Sequence, residues 1–298
     1  MGAGGWAYFD VPGEDALRAY ARAFPFVEVN ATFYEWPDPR TVSRWRRRVP
    51  PGFRFSVRAH RDLTHRHRFV ATPEARSCFA RTAKIADRLD ALAIVLETPD
   101  AVRPEAEQLR ELLSTARLPC PVALEARAYC GRPLPRSLAA AMEEHDVADA
   151  VDLSRQSPRT ESALAYARLF GPEQGNRWEF TADELTAIGE RGDSVGTKRI
   201  AYAFHGVRMY KDAGRFLTYV RTGRVPPATR HAGLRSLEEI LAEDAHFPAT
   251  ATDLVREHGF RVVALPDREI HARELLGRLP PDRYDAPAAV TEALRGLG

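Results

Sequence analysis

Cysteine is scarce in this chain of 298 residues: Cys78, Cys120 and Cys130 are odd in number and show no CxxC spacing. Neither a disulfide framework nor a thiolate zinc site is indicated on that count. Lysine is as rare, at Lys84, Lys198 and Lys211, so arginine carries almost all of the positive charge. No apolar run is long enough for a membrane span, and the N-terminus has neither the basic start nor the continuous apolar core of a signal peptide. The expectation is a soluble, cytoplasmic protein that does not engage a membrane. There is no GxSxG elbow, Walker loop, HExxH or dinucleotide-binding glycine fingerprint, so covalent serine chemistry and nucleotide-driven transfer are disfavoured.

What the chain does have is a rhythm. Eight short apolar runs recur at even spacing: GAGGW near Gly2, FVEVN to Asn30, FRFSVRAH to His60, ALAIVLE to Glu97, PVALEAR to Arg127, ADAVDLS to Ser154, ALAYARL around Arg168 and RIAYAFH to His205. Helical patterns such as GEDALRAYARAF and SCFARTAKIADRLD lie between them, and only the stretch RQSPRTES after the sixth run is too brief for a full helix. Alternating βαβ units of this kind predict an α/β fold, a (β/α)8 TIM barrel with its chemistry at the C-terminal ends of the strands. The barrel is expected over residues 1–224, ahead of the polar linker GRVPPATRHAG. A small α/β accessory module is expected over 234–298; at roughly 65 residues its core would be marginal alone.

Residues i and i+2 of a strand share a face, and three strand ends carry such polar pairs: Glu28 with Asn30, Arg58 with His60, and Glu125 with Arg127. Burying ionisable groups on the inner face of a barrel is costly unless they are paired or coordinated. Two readings follow, a functional pocket and an internal salt-bridge network.

The segments GAGGW, VEVNATFYEWP, FRFSVRAHRDLTH, LETP, LEAR, YARLFG and NRWEFTADEL, in that order over about residues 2–220, resemble the YecE-like family, a domain-of-unknown-function family with a TIM-barrel fold. VEVNATFY and VRAHRDLTH carry the most specific part of the likeness. The resemblance implies the barrel and a polar pocket formed by Glu28, Asn30, Tyr34, Arg58, His60, Glu125, Arg127, Asp152 and Arg168, but no reaction, since the family lacks a settled activity. This chain departs from the family pattern at Glu97, Ala128, Phe170, His205 and Gly206, so the pocket is altered here.

Glu28, Glu125 and Asp152 are accordingly the candidate catalytic carboxylates, and Asn30, Tyr34, Arg58, His60, His65, Arg127 and Arg168 the candidate substrate-binding residues. Arg58 and Arg168 are expected to hold an anionic group between them. Glu97, Glu125, Asp152 and His205 are a candidate ligand set for a divalent metal, Mg, Mn or Zn; ion pairing of Glu97 and Glu125 with Arg58, Arg127 and Arg168 is the alternative. The loop RAHRDLTHRHRF gathers Arg61, Arg66, Arg68 and three histidines, with Tyr34, Trp36 and Phe69 nearby to stack on bases. These features point to a hydrolase acting on a phosphoester in a nucleotide, nucleic acid or sugar phosphate. A non-catalytic binding protein for nucleic acid or an anionic metabolite, and a metal-dependent sugar isomerase or epimerase, are the alternatives.

Overall fold

The structure, a computed structural model, describes residues 1–197 and 199–297. The eight apolar runs form a closed, all-parallel barrel in chain order: β1 (Gly2–Ala3), β2 (Phe26–Val29), β3 (Arg54–Arg58), β4 (Ala93–Thr98), β5 (Val122–Ala126), β6 (Ala148–Val151), β7 (Ala165–Leu169) and β8 (Ile200–Phe204). Closure pairs Gly2 with Phe26 on one side and with Ala203 on the other. The chain is a (β/α)8 TIM barrel protein.

The two-residue side-chain period sorts each strand into an inner and an outer set. Val27, Val29, Phe55, Val57, Ile94, Leu96, Leu124 and Leu169 are among the fully buried residues of the outer set. The inner set begins with a dry layer of Phe26, Ala93, Val95, Ala123, Ala148, Ala150, Leu164, Tyr166, Ala201 and Ala203. Six of these ten are alanine, and that small volume leaves room for the Tyr166 phenol and for what lies one step above it. Two residues further along the strands the inner set turns ionic, with Glu28, Arg58, Glu97, Glu125 and Arg168.

The helices start where their sequences dictate. Asp15 caps α1 (Ala16–Ala23) by accepting from Arg18 N at 3.1 Å. A four-residue α2 (Ala31–Tyr34) follows β2, and Asp38 with Pro39 opens α3 (Pro39–Arg48). Thr72 and Pro73 open α4 (Pro73–Leu89), and Glu105 with Gln108 makes a capping box on α5 (Ala106–Leu113). After β5 comes α6 (Arg136–Glu144), and no helix separates β6 from β7, as the brevity of RQSPRTES requires. At the start of the barrel the Tyr20 hydroxyl accepts from Ala3 N at 2.7 Å and donates to Phe26 O at 2.8 Å. A Cβ on Gly2 would lie 1.8 Å from Phe26 O, so only glycine fits there.

Two compact units divide the chain, residues 1–169 with 191–205, and residues 170–190 with 206–298. The first contains the whole barrel sheet. The second contains most of α7 (Ala182–Asp193), then α8 (Met209–Thr222), α9 (Leu234–Asp244), β9 (Ala249–Thr250), α10 (Ala251–His258), β10 (Val262–Ala264), β11 (Glu269–His271), α11 (Arg273–Leu276), β12 (Arg283–Tyr284) and α12 (Pro287–Arg295). Its strands pair antiparallel, β10 with β11 and β12 with β9. Leu237, Ile240, Leu241, Leu254, Val263, Leu276, Val290 and Leu294 make its apolar core. An ionic knot is buried in it too, where Arg261 meets Glu179 at 2.8 Å and Glu243 at 2.7 Å, and Lys211 meets Glu179 at 2.5 Å.

Candidate functional site

Arg168 stands at the centre of the ionic layer, its side chain 1 % exposed. Its Nη2 meets Glu28 Oε1 at 2.9 Å and its Nε meets Glu28 Oε2 at 3.2 Å, a two-pronged pair. The third nitrogen, Nη1, reaches Glu97 Oε2 at 2.5 Å and also Glu125 Oε2. Arg58 joins Glu97 Oε2 at 2.6 Å, and Arg127 joins Glu97 Oε1 at 3.1 Å and Glu125 Oε1 at 2.8 Å. Three guanidiniums and three carboxylates thus cancel one another formally.

The floor beneath this layer is hydroxylic. The Tyr166 hydroxyl donates to Glu28 Oε2 at 2.9 Å, so the Ser56 hydroxyl, 2.5 Å away, donates to Tyr166. His205 Nε2 lies 3.4 Å from Glu28 Oε1. Asn30 donates to Gly4 O at 2.7 Å and accepts weakly from Arg58 Nη1 at 3.4 Å. The Arg58 guanidinium rests on the Phe33 ring at 3.5 Å, and its buried Nε has no hydrogen-bond partner among the described residues.

These contacts decide the charges. Burial alone would raise the Glu28 carboxyl, but Arg168, His205 and Arg58 outweigh it and hold Glu28 far below the usual carboxylate range. Burial likewise opposes ionisation of Glu97, and Arg168, Arg58 and Arg127 overcome it to bring its pKa to about 2. Arg168 stays charged because Glu125, Glu28 and Glu97 more than offset its own burial. Burial pushes His205 down, toward the neutral imidazole, against the pull of Glu28.

At the rim His60 stacks flat on Trp36, ring centres 4.6 Å apart at 11°, and the Arg81 guanidinium lies 4.5 Å from the same indole. His65 holds Thr64 Oγ1 at 2.9 Å and meets Phe33 edge-on. Tyr34 is 57 % exposed.

Glu28, Asn30, Arg58, Glu97, Glu125, Arg127, Arg168 and His205 therefore come together as their strand-end positions imply. Three expectations do not hold in their details. The anion position between Arg58 and Arg168 is filled by the chain's own carboxylates, since all three Arg168 nitrogens are engaged. Asp152 shares the inner parity of Ala148 and Ala150, but β6 ends at Val151, and its carboxylate turns to accept from Ser154 N at 2.9 Å and Ser154 Oγ at 2.6 Å. Phe69 is fully buried and offers no stacking face, while Trp36 already carries His60.

A metal held by Glu97, Glu125, Asp152 and His205 does not suit this donor set. Among the described residues no three His, Cys, Asp or Glu side chains gather in an arrangement able to hold an ion. Sequence reasoning passed over Tyr166 and Ser56. Each lies two residues before an inner arginine, Arg168 and Arg58, and that period was the available signal.

Gly4 sits where a Cβ would come within 2.2 Å of His205 Nδ1 and 3.0 Å of Asn30 Nδ2. Gly4→Ala is therefore expected to push the imidazole off Glu28 and to destabilise the barrel by about 1–3 kcal/mol, the cost of overpacking. Thermal melts together with the ring nitrogen shifts of His205 would show it; an unmoved ring would refute the contact.

The closed barrel, with an arginine-centred ionic layer at its strand ends, makes this a TIM-barrel protein, and comparison with known proteins gives its family. Residues 1–231 match the family described as "Protein of unknown function DUF72", and the chain belongs to that family. It is 31% identical over 74 residues to the UPF0759 protein YunF of Bacillus subtilis, covering 23% of this chain and 26% of that protein. It is 40% identical over 53 residues to the UPF0759 protein YecE of Escherichia coli, covering 18% and 20%. The matched segments thus span about a quarter and a fifth of those relatives. Among solved structures, the DUF72 family protein TM1631 of Thermotoga maritima superposes with a TM-score of 0.59 at 16% identity, over 74% of this chain and 98% of that one. The DUF72 family protein EF0366 of Enterococcus faecalis gives 0.52 at 16% identity, over 69% and 92%. Both support the fold. Among the described residues no helix is long and apolar enough to cross a membrane.

Proposed function

We propose that the barrel mouth binds a small anion bearing a phosphate or carboxylate, with Arg127 as the residue that captures it. The observation that carries this reading is how unevenly the three guanidiniums are committed. Arg168 and Arg58 are 1% and 9% exposed, whereas 35% of the Arg127 side chain is open to solvent. Glu97 is also held by Arg58 and Arg168, and Glu125 is also held by Arg168. Arg127 can then turn to an incoming anion without leaving a buried carboxylate uncompensated, which would otherwise cost several kcal/mol. His65 lies in the same field and Tyr34 is exposed beside Phe33, which gives the ligand polar and aromatic neighbours.

Phosphoester hydrolysis is a second reading, and one feature favours it. When Arg127 leaves, Glu125 loses the partner of its Oε1, and this side chain, 14% exposed, is the most accessible of the three carboxylates. A carboxylate freed on one oxygen can take a proton from water attacking the bound phosphorus. Until that happens the acids are too firmly paired to act as bases. A metal-dependent isomerase gains no such support.

Calorimetric titration with inorganic phosphate and pyrophosphate tests the binding. The parent protein is expected to bind, and Arg127→Gln to bind about tenfold more weakly, a change of about 1.4 kcal/mol. Equal affinity in the variant would sink the assignment. Release of nitrophenol from bis-p-nitrophenyl phosphate, abolished by Glu125→Gln, is the outcome required by hydrolysis; no release above buffer leaves the protein a binder.

A further inference from the structure

Beyond His65, the basic loop after β3 is not used by the mouth, and its backbone is unusual. Residues Asp62–Arg66 form a π-helical turn, and both Arg68 (φ 49°) and Phe69 (φ 66°) then adopt left-handed backbone, which side chains bearing a Cβ rarely do. Such conformations are costly and persist only when their surroundings fix them. Here two things do so. The Phe69 ring is fully buried, and Arg68 Nη2 reaches across to Ala101 O at 3.1 Å in the connection after β4. His67 is fixed as well, through Thr72 Oγ1 at 3.2 Å.

Beside this loop lies a concavity of about 740 Å³ between the β3 and β4 connections. Arg66, His67, Arg68 and Arg103 line it, against a single acid, Asp100; Val70 and Val102 supply an apolar wall. Glu74, at the start of α4, lies close enough for His67 and Arg66 to help lower its carboxyl, after its stronger hydrogen bonds to its own backbone and Thr72. Arg66 and Arg103 have no ion pair among the described contacts, unlike the mouth arginines, whose charge is already cancelled. The volume is in the range of organic ligands and well above that of a bare phosphate ion.

We propose that this concavity is a second anion site, which takes the phosphoryl group of a phosphate ester and packs the attached organic part against Val70 and Val102. Arg66 and Arg103 supply the charge-assisted hydrogen bonds from either side, and the constrained Arg68 and Phe69 backbone holds the loop open for them. The proposal does not rest on anion capture by Arg127. A phosphate ester of this kind can belong to a free nucleotide or to the backbone of a nucleic acid, and the two sources separate experimentally.

Adenosine 5′-monophosphate and a ten-residue oligothymidylate are the probes, titrated against the intact protein while the Val70 and Val102 methyl signals are followed by NMR. The parent is expected to show saturable shifts at both valines. The double variant Arg66→Gln/Arg103→Gln changes only exposed side chains, and its circular dichroism should match the parent while its affinity falls about tenfold or more, as loss of two charge-assisted contacts requires. Arg127→Gln should leave these valine shifts intact, which separates this site from the mouth. If the oligonucleotide binds more tightly, with a salt slope that the double variant reduces by about 0.7 per lost phosphate contact, the source is a single-stranded backbone. If the mononucleotide binds as tightly as the oligonucleotide, the source is a free phosphate ester. The proposal is overturned if neither probe shifts the two valines at low ionic strength, or if the folded double variant binds as the parent does.

Discussion

Arg168→Leu is expected to cost the barrel about 3–5 kcal/mol, the range for removing one partner from a buried ionic pair. The residue is the main charge partner of Glu28, ahead of His205 and Arg58: Glu28 is 0 % exposed, the Tyr166 hydroxyl beside it is neutral, and burial holds the His205 imidazole toward its uncharged form. A leucine would leave Glu28 charged and dry, or force it to take up a proton in a place built for its anion. Arg168→Lys should recover little, because one ammonium cannot reproduce bonds from three nitrogens to three carboxylates. Denaturant unfolding followed by far-UV circular dichroism gives the number. A loss below about 1 kcal/mol for the leucine variant would mean that the ionic layer is not what holds the strand ends together.

Acid is expected to dismantle the same layer, and the direction follows from the depressed carboxyls. Glu97 has a folded pKa of about 2 against an ordinary 4.5, and Glu28 is held lower still. A lowered folded pKa contributes stability that is complete above the unfolded value, near 4.5, and is lost as pH falls through the folded value. Stability should therefore decline from about pH 5 to pH 2, by on the order of 3 kcal/mol from Glu97 alone at 1.36 kcal/mol per unit. Glu97→Gln should be less stable at pH 7 and flatter across that window. A parent whose midpoint is constant from pH 5 to pH 2.5 would contradict the assignment. In the second unit Asp212 has the opposite sign: burial first, then Glu179, raises its carboxyl well above the ordinary value, and its Oδ2 has no hydrogen-bond partner among the described residues. Its contribution is greatest at low pH and falls as pH rises above 3.8, so Asp212→Asn is expected to stabilise that unit at neutral pH.

The barrel was legible because its strands report themselves twice. An apolar run marks each one, and the polar residue at its end stays in phase with the inner face, as in Phe26 and Glu28, Val95 and Glu97, or Tyr166 and Arg168. That phase identified the ionic layer. It did not say which acid meets which base, because a strand shows its own parity but not its height against a neighbour; only the register Glu97 with Glu125 makes both reach one guanidinium nitrogen. Asp152 misled for a related reason. Parity is meaningful only while the strand lasts, and β6 stops one residue short of it. The π-helical turn and the left-handed Arg68 and Phe69 carried no glycine or asparagine to announce them; they are imposed by the burial of one ring. The two-residue strands β9 and β12 were too short to leave a period.

The seam between Gly2 and Ala203 has a consequence for the birth of the molecule. The first stave of the barrel is made ahead of the strand that locks its free edge, which follows some two hundred residues later, roughly 10–40 s at ordinary rates of synthesis. Throughout that interval the nascent sheet is open, with parallel edges able to pair with another chain. The Tyr20 hydroxyl, bridging Ala3 N and Phe26 O from the helix that directly follows β1, is placed to dock the opening stave early and hold it until its last neighbour is translated.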